Sequence, residues 1–165
     1  MDIYMQQKTQ FQFLLPAILF LLLISCTGTD NPVVEINEFI AAAEKNFERK
    51  DTGNLKKLIS NNYHDSKNFS RQDIARIIAG YFLRRPSIYV LTNPREISLA
   101  GNQTTARLTL YVAVSREPLL ETDLELVQAE RYRLEVELQK EGGDWLLTSA
   151  ALNSISANEF IDSYN

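Results

Sequence analysis

Three hydrophobic patterns follow one another along the chain. From Phe11 to Cys26 the run is almost continuously apolar, with Gln12 as its only strongly polar member. From Val33 to Phe82 apolar residues recur at helical spacing, and from Ser87 to Ile155 they alternate. The helical zone predicts three helices. Over Val33 to Lys50, residues Ile36, Phe39, Ile40, Ala43 and Phe47 share a face, and Glu35, Glu38, Glu44, Lys45 and Glu48 cover much of the rest. Asn31 is placed to cap this helix, with Pro32 at its first position. Asp51-Thr52-Gly53 breaks the pattern, and a shorter helix follows with Leu55, Leu58 and Ile59. Ser60 to Asn68 is a polar turn or short strand. The third helix opens on Ser70 as N-cap, with Asp73 three residues on as in a capping box. Its stripe is Ile74, Ile77, Ile78, Tyr81 and Phe82. Arg84 and Arg85 are expected in its last turn, where cations suit the helix dipole, and Pro86 ends it.

The alternating zone predicts strands. Ser87 to Leu99 is strand-like, with an irregularity at Asn93-Pro94. After a turn at Ala100-Gly101-Asn102, Thr104 to Ser115 puts Ala106, Leu108, Leu110, Val112 and Val114 on one face. Thr105, Arg107, Thr109 and Tyr111 take the other. Glu117 to Asp123 is a long connection, and the sheet resumes over Leu124 to Lys140. There Tyr132, Leu134, Val136 and Leu138 oppose Arg131, Arg133, Glu135 and Glu137. Glu141-Gly142-Gly143-Asp144 is a hairpin turn leading into a last long strand, Trp145 to Ile155. The tail from Ala157 to Asn165 adds a helical turn. Helices first and one-sided strands after describe an α+β domain over residues 33–165, with three helices packed in a strongly curved antiparallel β-sheet.

The first pattern sets the address. A spanning helix needs about 20 apolar residues, and this run is shorter; it follows a weakly positive start, the shape of a secretory signal. It ends in Leu23-Ile24-Ser25-Cys26, which resembles the lipobox of bacterial lipoproteins. The resemblance implies cleavage after Ser25, a diacylglycerol thioether on Cys26 and a further acyl chain on its amine, including palmitate-type chains. Two or more chains give stable anchoring where one does not. Cys26 is the only cysteine, so the chain has no intrachain disulfide. The alternative is a short uncleaved anchor, or a buried helix with an incidental cysteine. Thr27, where an Asp would resemble an inner-membrane retention signal, leans the expectation toward the inner leaflet of the outer membrane, facing the periplasm. Residues 1–25 are then the signal peptide, 26–32 a short polar tether and 33–165 the domain.

Composition adds little: 45% hydrophobic, 23% charged and a formal net charge of −4 describe an ordinary globular chain. A mildly acidic balance lacks the footprint of a general nucleic-acid binder, so no nucleic-acid partner is expected.

The order of elements resembles the nuclear transport factor 2-like superfamily, the cone-shaped fold. The resemblance covers Val33 to about Ile155. It rests on the helix-helix-helix-strand order, on Tyr63-x-Asp65 after the second helix, on the segment Glu130 to Leu138, and on the Gly-Gly-Asp-Trp hairpin opening the last strand. A cystatin-like domain is the structural alternative. The superfamily holds dehydratases, isomerases, cyclases and many non-catalytic binders, so the fold alone does not name an activity.

Its enzymes resemble one another in a deep pocket with an Asp or His acid/base, often beside Tyr, and Tyr63, His64 and Asp65 are the candidates here. Neighbours in an extended segment point to opposite faces, so Tyr63 and Asp65 share a face and His64 does not. The plainer expectation is that Tyr63 packs, Asp65 satisfies a turn amide and His64 is solvated. With one histidine and no spare thiolate, no metal site and no cofactor is implied. Arg107, Tyr111, Arg131 and Arg133, with Glu135 and Glu137, form a second set on polar strand faces. Crossed charge pairs are normal on a solvated sheet face; the alternative use is an anion site or a partner surface. Tyr81, with Phe82, Tyr89, Tyr132 and Trp145, is expected to line a core or a small apolar pocket. The expected function is a membrane-anchored binding module for a protein partner or small apolar ligand. The alternatives are an isomerase, dehydratase or cyclase-like enzyme, and an accessory subunit of an envelope assembly. A homodimer through the sheet is a partner the resemblance implies.

Overall fold

In the computed structural model, residues 31–119 and 128–164 are described. The apolar run, Cys26 and most of the tether lie outside these residues, as do 120–127 of the expected connection and strand start. Helix α1 spans Pro32–Glu48 and buries Ile36 and Ile40. Helix α2 spans Thr52–Lys57, its N-cap Asp51 accepting from the Asn54 amide at 2.9 Å. Helix α3 spans Arg71–Leu83 and has the full capping box: the Ser70 hydroxyl accepts from the Asp73 amide, and Asp73 accepts from the Ser70 amide. Four strands follow, β1 (Tyr89–Leu99), β2 (Thr105–Ser115), β3 (Ala129–Glu141) and β4 (Asp144–Ser154), and then helix α4 (Ala157–Asp162). Among the described residues no helix is long and apolar enough to cross a membrane.

The strands form one curved antiparallel sheet in sequence order, β1-β2-β3-β4. The register of β1 against β2 shifts between Pro94 and Ile97, close to the irregularity read at Asn93-Pro94. In the β3–β4 turn Gly142 and Gly143 have φ of 63° and 101°, the conformation a two-residue hairpin requires and side chains resist. Each sheet edge is bonded in part by a neighbouring segment, which blunts the pairing template a bare edge presents. At the β1 edge the Val90 amide donates to Glu48 of α1 at 2.9 Å. At the β4 edge Ser60 and His64 donate backbone bonds to Leu147 and Thr148, and Leu147 donates to Leu58.

The concave face carries the main core. Ile36 and Ile40 of α1 pack with Leu108, Val136, Leu138 and Trp145, and Leu55, Phe82, Ile88 and Val114 close a second cluster beneath α2 and α3. Glu35 sits at one end of α1, where Lys140 Nζ and Trp145 Nε1 both donate to it at 2.7 Å.

Two expectations need correction. Helix α3 stops at Leu83, so Arg84 is its C-cap and Arg85 lies beyond it rather than in the last turn. Beyond the helix, Arg85 stacks over the Tyr81 ring at 4.2 Å and pairs with Glu130 of β3, a partner the local sequence does not supply. The convex sheet face is also not uniformly solvated. Phe160 of α4 is fully buried against Ala113, with Leu91, Tyr111, Ile161 and Tyr164 around it.

Candidate functional site

The curved sheet and the three preceding helices leave a cavity of about 390 Å³. Its wall combines the apolar faces of α1, α3 and the concave strands, with Phe39, Ile78, Leu110, Val112, Leu134 and Leu147 among the lining residues. Ile77 and Leu152 also line it, yet are 50% and 56% exposed, which marks the mouth. The side-chain alternation of β2 and β3 produces this surface directly, because Leu110, Val112, Leu134 and Val136 all point inward. The polar lining residues are Glu44, Thr92, Tyr81 and Tyr132. Glu44 Oε1 accepts from the Thr92 hydroxyl across the gap between α1 and β1.

At the rim, Glu130 gathers three donors. Tyr81 and Tyr132 donate to its Oε2 at 3.0 and 3.1 Å, and Arg85 pairs with Oε1. Burial pushes the Glu130 carboxyl up, but these hydrogen bonds and the Arg85 charge outweigh it and hold the group below the usual carboxylate range. Burial, with Glu130 as bonded anion, pushes the Tyr81 and Tyr132 phenols up. Phe47 packs on Tyr81 with ring centroids 5.7 Å apart, so this cluster continues into the core.

Tyr63, His64 and Asp65 lie in the segment between α2 and α3 and are not among the cavity's lining residues. Tyr63 and Asp65 are buried, and the Tyr63 hydroxyl donates to Asp65 Oδ2 at 3.1 Å. Asp65 Oδ1 also accepts from the backbone amides of Lys67 at 2.9 Å and Phe69 at 3.0 Å. Burial would raise this carboxyl; the Phe69 and Lys67 amides and the Tyr63 hydroxyl together lower it. Burial first, then the Asp65 charge, raises the Tyr63 phenol. His64 is exposed and holds β4 through its backbone amide. Tyr63 and Asp65 thus share a face, as the sequence implied, and their bonding capacity goes into the turn.

The second candidate set lies on the convex face. Arg107 pairs with Glu137 at 2.8 Å, both well exposed. Tyr111 stands opposite Arg133 and Ala113 opposite Arg131. Tyr111 packs beneath α4, and Arg133 reaches Glu135 at 3.5 Å and Glu159 of α4 at 3.7 Å. Tyr111, Arg131 and Arg133 are therefore neighbours, while Arg107 lies further along the sheet, paired with Glu137. Of the aromatics expected at a core or pocket, Tyr81 and Tyr132 line the cavity, whereas Arg107, Tyr111, Arg131 and Arg133 do not. Among the described residues, no three His, Cys, Asp or Glu side chains gather as a metal site requires.

By its charge Glu44 groups with the solvated residues of α1. Its spacing was the available signal, because Ile36, Ile40 and Glu44 fall at i, i+4 and i+8 on one face. Glu130 carried no comparable signal: only the pairing of β3 brings it to Tyr81 and Arg85.

No protein-family model matches the chain, and no curated protein matches it. Solved structures do. One is a protein of the nuclear transport factor 2-like family from Streptomyces avermitilis with a proposed dehydratase activity. Its TM-score is 0.59 at 15% identity, over 78% of this chain and 99% of that one. Another is a ketosteroid isomerase-like protein from Erwinia carotovora atroseptica, with TM-score 0.56 at 12% identity over 77% and 98%. A third is Bd1075 of Bdellovibrio bacteriovorus, with TM-score 0.59 at 9% identity over 73% of this chain; the match spans 40% of Bd1075. At such identities the likeness shows architecture alone, and that architecture is the nuclear transport factor 2-like cone fold.

Proposed function

We propose that this chain is a lipid-anchored envelope protein whose cone domain holds a small, largely apolar ligand without transforming it. The observation that carries the binding reading is the cavity: about 390 Å³, open at Ile77 and Leu152, and apolar on most of its wall. That volume lies in the range of small-ligand pockets, about 300–1,000 Å³. Binding is favoured over catalysis because the Tyr63–Asp65 pair lies outside the cavity and is committed to backbone amides. An isomerase- or dehydratase-like activity, as in the names of two structural neighbours, would fall to Glu44 as the carboxylate of the wall. The anchor reading rests on the lone Cys26 at the end of Leu23-Ile24-Ser25-Cys26, and with it the periplasmic face of the outer membrane. A protein partner or second copy would meet the exposed Arg107–Glu137 end of the convex face.

Two measurements test this. The full chain in lipid nanodiscs, titrated with an apolar fluorescent dye, should show saturable binding above that of empty nanodiscs. Ala43→Trp, which adds bulk to the wall, should abolish it while leaving the circular dichroism spectrum unchanged. Binding equal to empty nanodiscs overturns the cavity reading. Separately, Cys26→Ala should lose the lipid mass and remain unprocessed; an unchanged lipid adduct overturns the anchor.

A further inference from the structure

The apolar cavity holds one feature that packing does not explain. Glu44 stands on the same face of α1 as Ile36 and Ile40, among residues that are otherwise apolar, and it lines the cavity. Its hydrogen-bonded partner, Thr92, is surrounded on the concave sheet by Val90, Val112 and Val114. A valine at position 92 would continue that surface, so the hydroxyl and the carboxylate come as a pair. Placing a carboxylate in an apolar wall is costly unless it is bonded. A carboxylate offers about four acceptor sites, and Thr92 fills one of them. A purely structural staple between α1 and the β1 edge is already supplied one turn on, where Glu48 accepts the Val90 amide at 2.9 Å. No Lys, Arg or His is among the lining residues, and Arg85 at the rim is engaged by Glu130.

Building on the ligand-binding reading above, we infer that the cavity selects ligands with an apolar body and a cationic, hydrogen-bond-donating head, an amine, received by the Glu44 carboxylate beside Thr92. The rest of the wall takes the apolar body. An alcohol head makes a neutral-donor bond to the same oxygen and binds less tightly. A carboxylate head meets a like charge and finds no cation in the wall. Both heads donate to the carboxylate, but only the ammonium adds an opposite charge, so the amine should bind more tightly than the matched alcohol, by about tenfold or roughly 1.4 kcal/mol.

The test uses three water-soluble probes of one chain length: hexylamine, hexanol and hexanoate. Each is titrated calorimetrically into the full chain in nanodiscs, with empty nanodiscs as baseline. The expected order is amine, then alcohol, then carboxylate. Glu44→Gln should bring the amine and alcohol affinities together, the amine losing the larger share because it alone loses an ion pair. Thr92→Val, which keeps the carboxylate, should preserve the amine preference, and it guards against a Glu44→Gln protein that fails to fold. If none of the three probes binds, the cavity reading itself fails and this inference with it. If all three bind and the order is unaffected by Glu44→Gln, or is lost in Thr92→Val, the cavity reading stands and the Glu44 assignment is overturned.

Discussion

The same chemistry, a tyrosine hydroxyl donating to a carboxylate, occurs twice in this domain with opposite consequences. At Tyr63–Asp65 the partners are two residues apart, and the carboxylate also accepts two backbone amides, from Lys67 and Phe69. The motif is closed and builds a turn. At Glu130 the carboxylate comes from β3, and its donors Tyr81 and Arg85 belong to α3 and the segment just after it, with Tyr132 beside it on the strand. That cluster joins two distant parts of the chain beside a cavity that Tyr81 and Tyr132 line. A Tyr-x-Asp in the sequence invites a catalytic reading, yet the tyrosine–carboxylate contact that ties α3 to the sheet beside the pocket, Tyr81 to Glu130, joins residues far apart in the chain and has no local signature.

The largest effect that separates the two sites is expected from truncating the carboxylates. Asp65→Ala leaves two backbone amides and a buried phenol without an acceptor, and unsatisfied buried donors are costly. It should lower the melting temperature on the order of 5 °C or more while leaving saturable dye binding intact once folded. Glu130→Ala should lower it less, because Glu130 is substantially exposed and exposed ion pairs contribute under about 1 kcal/mol. It should, however, alter dye on- and off-rates, since it releases Tyr81 and Tyr132 at the wall. Equal melting shifts with unchanged binding kinetics in both variants would erase the distinction.

That contrast also explains how much of the molecule was legible in the sequence. Local rules held where one element decides its own structure. The α1 stripe Ile36, Ile40 and Phe47, the Ser70–Asp73 capping box and the Gly142-Gly143 turn all appear as read. The even positions of β2 and β3 became the concave wall for the same reason. What failed to show is what two elements decide together. Glu35 looked like a solvated helix residue, but Lys140 and Trp145 arrive from the far hairpin to bond it. Arg85 looked like a helix-end cation, but β3 draws it past the helix to Glu130. The six residues of α4 are too few to carry a period, so nothing indicated that Phe160 would roof Ala113 and Tyr111.

Acid should act on both sites in the same direction and by a smaller amount than truncation. Asp65 and Glu130 both have carboxyls held below their ordinary values. A lowered folded-state value means the folded protein binds its proton less readily than the unfolded chain does. The stability this provides is present above the unfolded values, about 3.9 for Asp and 4.3 for Glu, and is lost as pH falls through the folded ones. Urea midpoints should therefore be flat from neutral pH to about 5 as far as these groups decide, then fall. Asp65→Asn should flatten part of that fall and Glu130→Gln another part. An acid limb unchanged in both variants would mean that neither carboxylate carries the linkage.

The smallest effect probes the tyrosines one at a time. Tyr63→Phe removes a buried hydroxyl whose acceptor keeps two other donors, so the cost should be about 1 kcal/mol. Tyr132→Phe removes one of three donors to a more exposed carboxylate, so the cost should be about half of that. Such a difference is near the limit of a single pair of denaturant curves, so coupling is the sharper measurement. In a double-mutant cycle, Tyr132→Phe with Tyr81→Phe shares the Glu130 acceptor and should deviate from additivity. Tyr132→Phe with Tyr63→Phe, which share no partner, should add within about 0.5 kcal/mol. Coupling between Tyr63 and Tyr132 would mean the turn and the rim act as one unit, and that the closed motif reaches the cavity after all.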